Sequence, residues 1–151
     1  MNSVQLQLSF PATAEAPRRV RRALDGEPAL SDPDLRFLLR LLLTELVTNA
    51  VRHAGLRDDE RIDVLLDTRG HVVSARVRDR GERLAALPPR PDPDGSSGRG
   101  LLLVTAIADR WGIEVAAGTT VWFELDVDED GRPANFDALL RRAAESAALA
   151  R

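Results

Sequence analysis

The stretch "ELVTNAVRHA", residues 45–54, continues an apolar run, "LRFLLRLLLT", at residues 35–44. Leu35, Leu38, Leu39, Leu42, Leu46 and Val47 recur at the spacing of a helix that buries one face. Within that helix Glu45, Asn49 and His53 fall four residues apart, so they stack along one stripe. A carboxylate, an amide and an imidazole in line on a core helix form either a solvated strip or the wall of a site. Asn49 carries an amide oxygen suited to a hard cation such as Mg²⁺. Glu45, one turn earlier, can accept a proton from a water or hydroxyl beside that cation. His53 reads as a wall residue.

Outward from this helix, the pattern switches between two periods. Ser31 or Asp32 is a candidate N-cap, with Pro33 in the first turn. Before it, "VQLQLSF" (4–10) alternates like a strand, and "TAEAPRRVRRALDG" (13–26) reads as a short basic helix with Thr13 as candidate cap. After it, "RIDVLLD" and "HVVSARVRD" flank "TRG" as a β-hairpin. "RGERLAALPPRPDPDGSSGRG" (80–100) is too rich in Pro, Gly and Asp for regular structure and reads as a mobile loop of about twenty residues, a length that suggests function. "LLLVTAIADRW" is helical in period. "GIEVAAGTTVWFELDVD" reads as two strands turning at Ala117–Gly118. A helix capped by Asn135 closes the chain over about 135–150. The order β-α-α-β-β-loop-α-β-β-α predicts an α+β fold. Its form is a two-layer sandwich with a mixed, mostly antiparallel sheet and helices on one face.

The 151 residues suit one domain, 1–151, with enough apolar material for a core. All 21 basic residues are arginine, and there is no cysteine or tyrosine. The lack of lysine excludes a Walker-type phosphate loop and a lysine Schiff base. The lack of cysteine excludes disulfides and zinc–thiolate sites and fits a cytoplasmic location. A net charge of −3 predicts no direct nucleic-acid partner. No secretory pattern opens the chain, and residues 35–51 carry Arg36, Arg40 and Glu45, too many charges for a membrane span.

Three further segments carry chemistry. Asp79 ends an apolar strand face and is followed by Gly81, so it can present an acceptor where backbone approaches closely. "DRG" is equally an ordinary turn. Gly98 and Gly100 precede a helix, whose first N–H groups attract phosphate, with Arg99 able to add charge. A flexible loop entering a helix reads the same way. Thr119 shares the parity of Val121, Phe123 and Leu125 and so points inward with them.

Taken together, "ELVTNAVRHA", "VRDRG", "GRGLLLV" and "GTTVWF" resemble, in order and spacing, the four motifs of the GHKL ATPase superfamily. The resemblance covers about residues 4–127 and is greatest to stand-alone anti-sigma-factor serine kinases. It implies ATP and Mg²⁺ as cofactors, with Asn49 on the metal and Glu45 as general base. It further implies Asp79 and Gly81 at adenine, Thr119 nearby, and Gly98, Arg99, Gly100 and Leu101 around the phosphates. His53 would line the pocket, and about residues 82–97 would form a lid. The partners implied are a sigma factor and an antagonist protein, and the resemblance allows a homodimer. One departure stands out: Arg83 replaces the second glycine of the "DRGERL" motif. Two functions are therefore carried forward, an ATP-dependent serine kinase that also acts as an anti-sigma factor, and a nucleotide-binding interaction module without catalysis. Trp122, opposite in parity to Val121, is expected on the uncovered sheet face or against the C-terminal helix.

Overall fold

The computed structural model describes residues 3–53, 57, 59–80, 99–134 and 136–149. Its elements are β1 (Gln5–Pro11), α1 (Ala16–Asp25), α2 (Pro33–His53), β2 (Arg61–Arg69) and β3 (Val72–Asp79), then α3 (Arg99–Ile107), β4 (Arg110–Val115), β5 (Thr119–Asp126) and α4 (Phe136–Leu149). The strands form one sheet in the order β1-β2-β3-β5-β4, and every neighbouring pair is antiparallel. The α+β sandwich therefore holds, with a sheet that is antiparallel throughout rather than mixed.

Alternation decides which face is covered. In β3, Val73, Ala75 and Val77 are buried while Arg76 and Arg78 are exposed. The buried faces of the sheet meet α2, where Leu35, Leu38, Leu39, Leu42, Leu43, Leu46 and Val47 are at most 3% exposed. α2 starts where the sequence suggests: the Leu35 N–H donates to Asp32 Oδ1 at 2.9 Å, a side-chain cap that satisfies one of the helix's free N–H groups. α1 differs, because Glu15 precedes it without a side-chain cap and Thr13 contributes only its backbone carbonyl, which accepts from the Ala16 N–H.

The helix expected over residues 101–111 stops at Ile107. Arg110 and Trp111 belong instead to β4, opposite Glu124 and Phe123. Arg110 reaches across to Glu124 at 2.6 Å and Asp126 at 2.5 Å. Hydrogen bonding to Asp126 and then Glu124 raises its pKa further above the ordinary arginine value. Non-local ladder and ion-pair contacts thus override a helical pattern in the sequence.

Trp122 lies on the uncovered face, over Gly112; a Cβ on Gly112 would come within 2.8 Å of its ring. It does not pack on α4. That helix docks on α3 through Leu139 and Ala143, while Leu140 stays 36% exposed. Phe136 meets Phe37 of α2 edge-on, at 6.4 Å between ring centres. Among the described residues, no helix is long and apolar enough to cross a membrane. Asn135, Arg83 and the lid segment 82–97 lie outside the described residues.

Candidate functional site

The strand register gathers the chemistry at one end of the sandwich. Asp79 is the last residue of β3 and pairs with Ile62 at the start of β2 and Thr119 at the start of β5. Residues 54–60 join the end of α2 to the start of β2, so the last turns of α2, with Glu45 and Asn49, lie toward that same end. α3 begins beside them. A Cβ on Gly100 would sit 2.4 Å from Asn49 Nδ2 and 3.3 Å from Glu45 Cβ. Only a residue without a side chain lets the α3 N-terminus come this close to the α2 stripe.

Burial follows the chemistry. Asp79 is 7% exposed and Thr119 is 9% exposed, both on the covered face of the sheet. The Thr119 hydroxyl is buried and meets no hydrogen-bond partner among the described residues. Such a group costs free energy unless something satisfies it. Glu45 and Asn49 are half-buried. Leu101 is half-buried too, in the first turn of α3, where its carbonyl accepts from the Thr105 hydroxyl at 2.7 Å.

Of the ten residues singled out in the sequence, Glu45, Asn49, Asp79, Gly100, Leu101 and Thr119 are described with their surroundings. His53 and Arg99 are placed in the backbone of α2 and α3, with their side chains outside the described set. Gly81 and Gly98 lie outside it altogether.

Sequence reasoning passed over Gly118. Its φ is +121°, and a Cβ there would fall 2.1 Å from the Asp79 carbonyl oxygen and 2.9 Å from Arg80 Cα. The backbone of Gly118 therefore lies directly on the end of β3, and this contact sets Thr119 beside Asp79. The signal was visible as the glycine of the Ala117–Gly118 turn, but its contact is across the sheet and not local.

With this geometry in place, the comparisons with known proteins become specific. Residues 10–125 match the histidine kinase-like ATPase domain family. The chain belongs to this family. Among solved structures it is similar to the RsbU and RsbW domains of Rv1364c from Mycobacterium tuberculosis, with 25% identity and a TM-score of 0.64. That match covers 87% of this chain and 35% of the other, so the chain spans about a third of that protein's length. No curated protein matches.

The close approach at Gly100 leads to a first prediction. In a Gly100→Ala variant the added methyl group takes the space of the Asn49 amide, which is the end of a side chain that can swing aside. The fold should survive, with an unchanged circular-dichroism spectrum. Mg-ATP affinity, read by calorimetry, should fall about tenfold, because Asn49 no longer holds its place. Unchanged affinity would separate Asn49 from nucleotide binding.

Proposed function

We propose that this histidine kinase-like ATPase domain is an ATP-binding regulator of the anti-sigma-factor kind. It would transfer the γ-phosphoryl group of ATP to a serine of an antagonist protein and, when free of the antagonist, bind a sigma factor. The single observation that carries the nucleotide part is the buried, unpartnered Thr119 hydroxyl beside the buried Asp79 carboxylate. Two buried polar groups paired across neighbouring strands on a mostly apolar face suit the hydrogen-bonding edge of an adenine ring.

The residues also fit a nucleotide-bound Mg²⁺. No cluster of three or more acidic or histidine ligands occurs among the described residues. Asn49 alone, with phosphate oxygens and water completing the shell, is the sparse protein contribution that this ion accepts. Bound there, the ion would neutralise phosphate charge. The backbone N–H groups at the start of α3, around Gly100 and Leu101, would add their partial positive charge. This is how phosphates can be held by a chain with no lysine. Glu45, one turn from Asn49, would accept the proton of the attacking seryl hydroxyl as its oxygen bonds to phosphorus and ADP leaves.

Calorimetric titration with Mg-ATP tests the pocket. Wild-type protein should bind, and Asp79→Asn should weaken binding by at least about 1.4 kcal/mol, roughly tenfold, because the amide keeps one acceptor oxygen where the carboxylate has two and puts an N–H donor in place of the other, which leaves a buried contact mispaired. Equal affinity would remove Asp79 from the adenine site and the reading with it. Arg83, in place of a motif glycine, favours the second reading, in which nucleotide only tunes partner affinity and no phosphoryl group moves.

A further inference from the structure

The sheet has two outer strands, β1 and β4, and the phase of its hydrogen bonds shows which groups each turns outward. In an antiparallel ladder, residues bond alternately to one side and to the other. At the two ends of β1, the Val4 carbonyl accepts from the Thr68 N–H and the Ala12 N–H donates to Glu60, so even-numbered residues of β1 bond to β2. The Val127 N–H donates to the His71 carbonyl, so odd-numbered residues of β5 bond to β3 and even-numbered ones to β4. The ladder between β4 and β5 therefore uses Arg110, Gly112 and Glu114. The backbone groups of Trp111, Ile113 and Val115 point away from the sheet. On β1 the outward groups belong to Gln5, Gln7, Ser9 and Pro11.

The two edges differ in chemistry. Pro11 has no N–H, its carbonyl accepts from the Thr13 N–H at 2.8 Å, and the Ser9 carbonyl accepts from Arg61 Nη2 at 2.7 Å. A proline and a guanidinium laid on the backbone keep another strand from pairing there. β4 has no proline, and among the described residues no side chain bonds to its outward backbone. Its outward residues are also its apolar ones. Trp111 and Ile113 are only half-buried, and Val115 is 56% exposed. On the other face of the strand the charge is uneven. Arg110 lies between Glu124 and Asp126, whereas the exposed Glu114 has no ion-pair partner among the described residues.

We propose that β4 is a docking edge for an extended segment of a partner protein. The segment adds a further antiparallel strand, with apolar residues beside Trp111, Ile113 and Val115 and a basic residue opposite Glu114. Its backbone satisfies the outward N–H and C=O groups, and its apolar side chains cover the half-exposed ones. The basic residue supplies the opposite charge that Glu114 lacks. A second copy of this chain fits less well. Antiparallel pairing of β4 with itself about Gly112 sets Arg110 opposite Glu114, but Arg110 is already held by two carboxylates. The proposal stands on the β4 edge and not on ATP binding.

The test is run without nucleotide. Fluorescence anisotropy follows a fluorescein-labelled, end-capped peptide, Ser-Val-Arg-Val-Thr-Val-Thr-Ser, whose valines and arginine match the outward residues and Glu114. Wild-type protein should bind it with a Kd below about 1 mM. The same peptide N-methylated at its valines keeps its side chains and loses the pairing donors, so it should bind at least about tenfold more weakly. Val115→Pro removes one outward N–H and leaves the ladder to β5 in place. It should weaken binding about tenfold with an unchanged circular-dichroism spectrum. Glu114→Arg should reverse the charge preference, favouring a peptide with glutamate in place of its arginine. Gln7→Pro, on the β1 edge, should stay within about twofold of wild type. Any of five results would overturn the proposal: no binding by wild type, equal binding of the N-methylated peptide, equal losses in Val115→Pro and Gln7→Pro, an unreversed preference in Glu114→Arg, or a wild-type dimer in light scattering that Val115→Pro dissociates.

Discussion

Gly118→Ala should destabilise the protein by about 3 kcal/mol or more, seen as a fall in the urea midpoint with little change in slope. Two costs combine. The backbone at +121° is a conformation that side chains rarely adopt. The new methyl group would also lie 2.1 Å from the Asp79 carbonyl oxygen, and a backbone atom cannot swing aside as a side-chain tip can. The end of β3 or the β4–β5 turn must move. Since that contact sets Thr119 against Asp79, the same variant should lose Mg-ATP binding. Gly70→Ala is the control. Its φ is +59° with nothing within 4 Å of a Cβ, so it should cost only about 1–2 kcal/mol. Ala117, at φ 48°, shows that this chain tolerates the left-handed region where space is free. Equal losses in the two variants would mean that conformation alone, and not the approach to Asp79, makes Gly118 necessary.

Glu45→Gln should lower phosphoryl transfer to the antagonist by about 10²–10⁴-fold, the usual contribution of a positioned general base. Affinity for Mg-ATP should stay within about twofold, because the amide keeps the shape of the side chain and Asn49 keeps its place. Single-turnover transfer of label from γ-labelled ATP, beside a calorimetric titration, separates the two quantities. An unchanged rate would remove Glu45 from the chemistry. No transfer by wild type, with nucleotide and antagonist both bound, would favour the interaction module instead. The two variants would divide the proposed site by function: Gly118→Ala disturbs the approach of Thr119 to Asp79, and Glu45→Gln removes only the proposed proton acceptor.

Much of this was legible in the chain. The helical stripe of Glu45 and Asn49 followed from a period of four on an apolar background, because a helix turns the same way whatever it packs against. The inward direction of Asp79 and Thr119 followed from strand alternation, and Asp79 and Thr119 are indeed buried. The Asp32 cap before Pro33 was local chemistry and appeared where expected. Local signals failed where a distant partner decided the outcome. Arg110 and Trp111 fit a helix by period, yet pairing with β5 draws them into β4. Trp122 could have met α4, but it covers Gly112 instead.

The sequence by itself determined the elements, their faces and the residue types available for chemistry, since periodicity and capping act within a few residues. Only the tertiary structure decided that Gly100 abuts Asn49 and that Gly118 lies on the Asp79 backbone. Those contacts join segments far apart in the chain, and their closeness depends on atoms that glycine does not have.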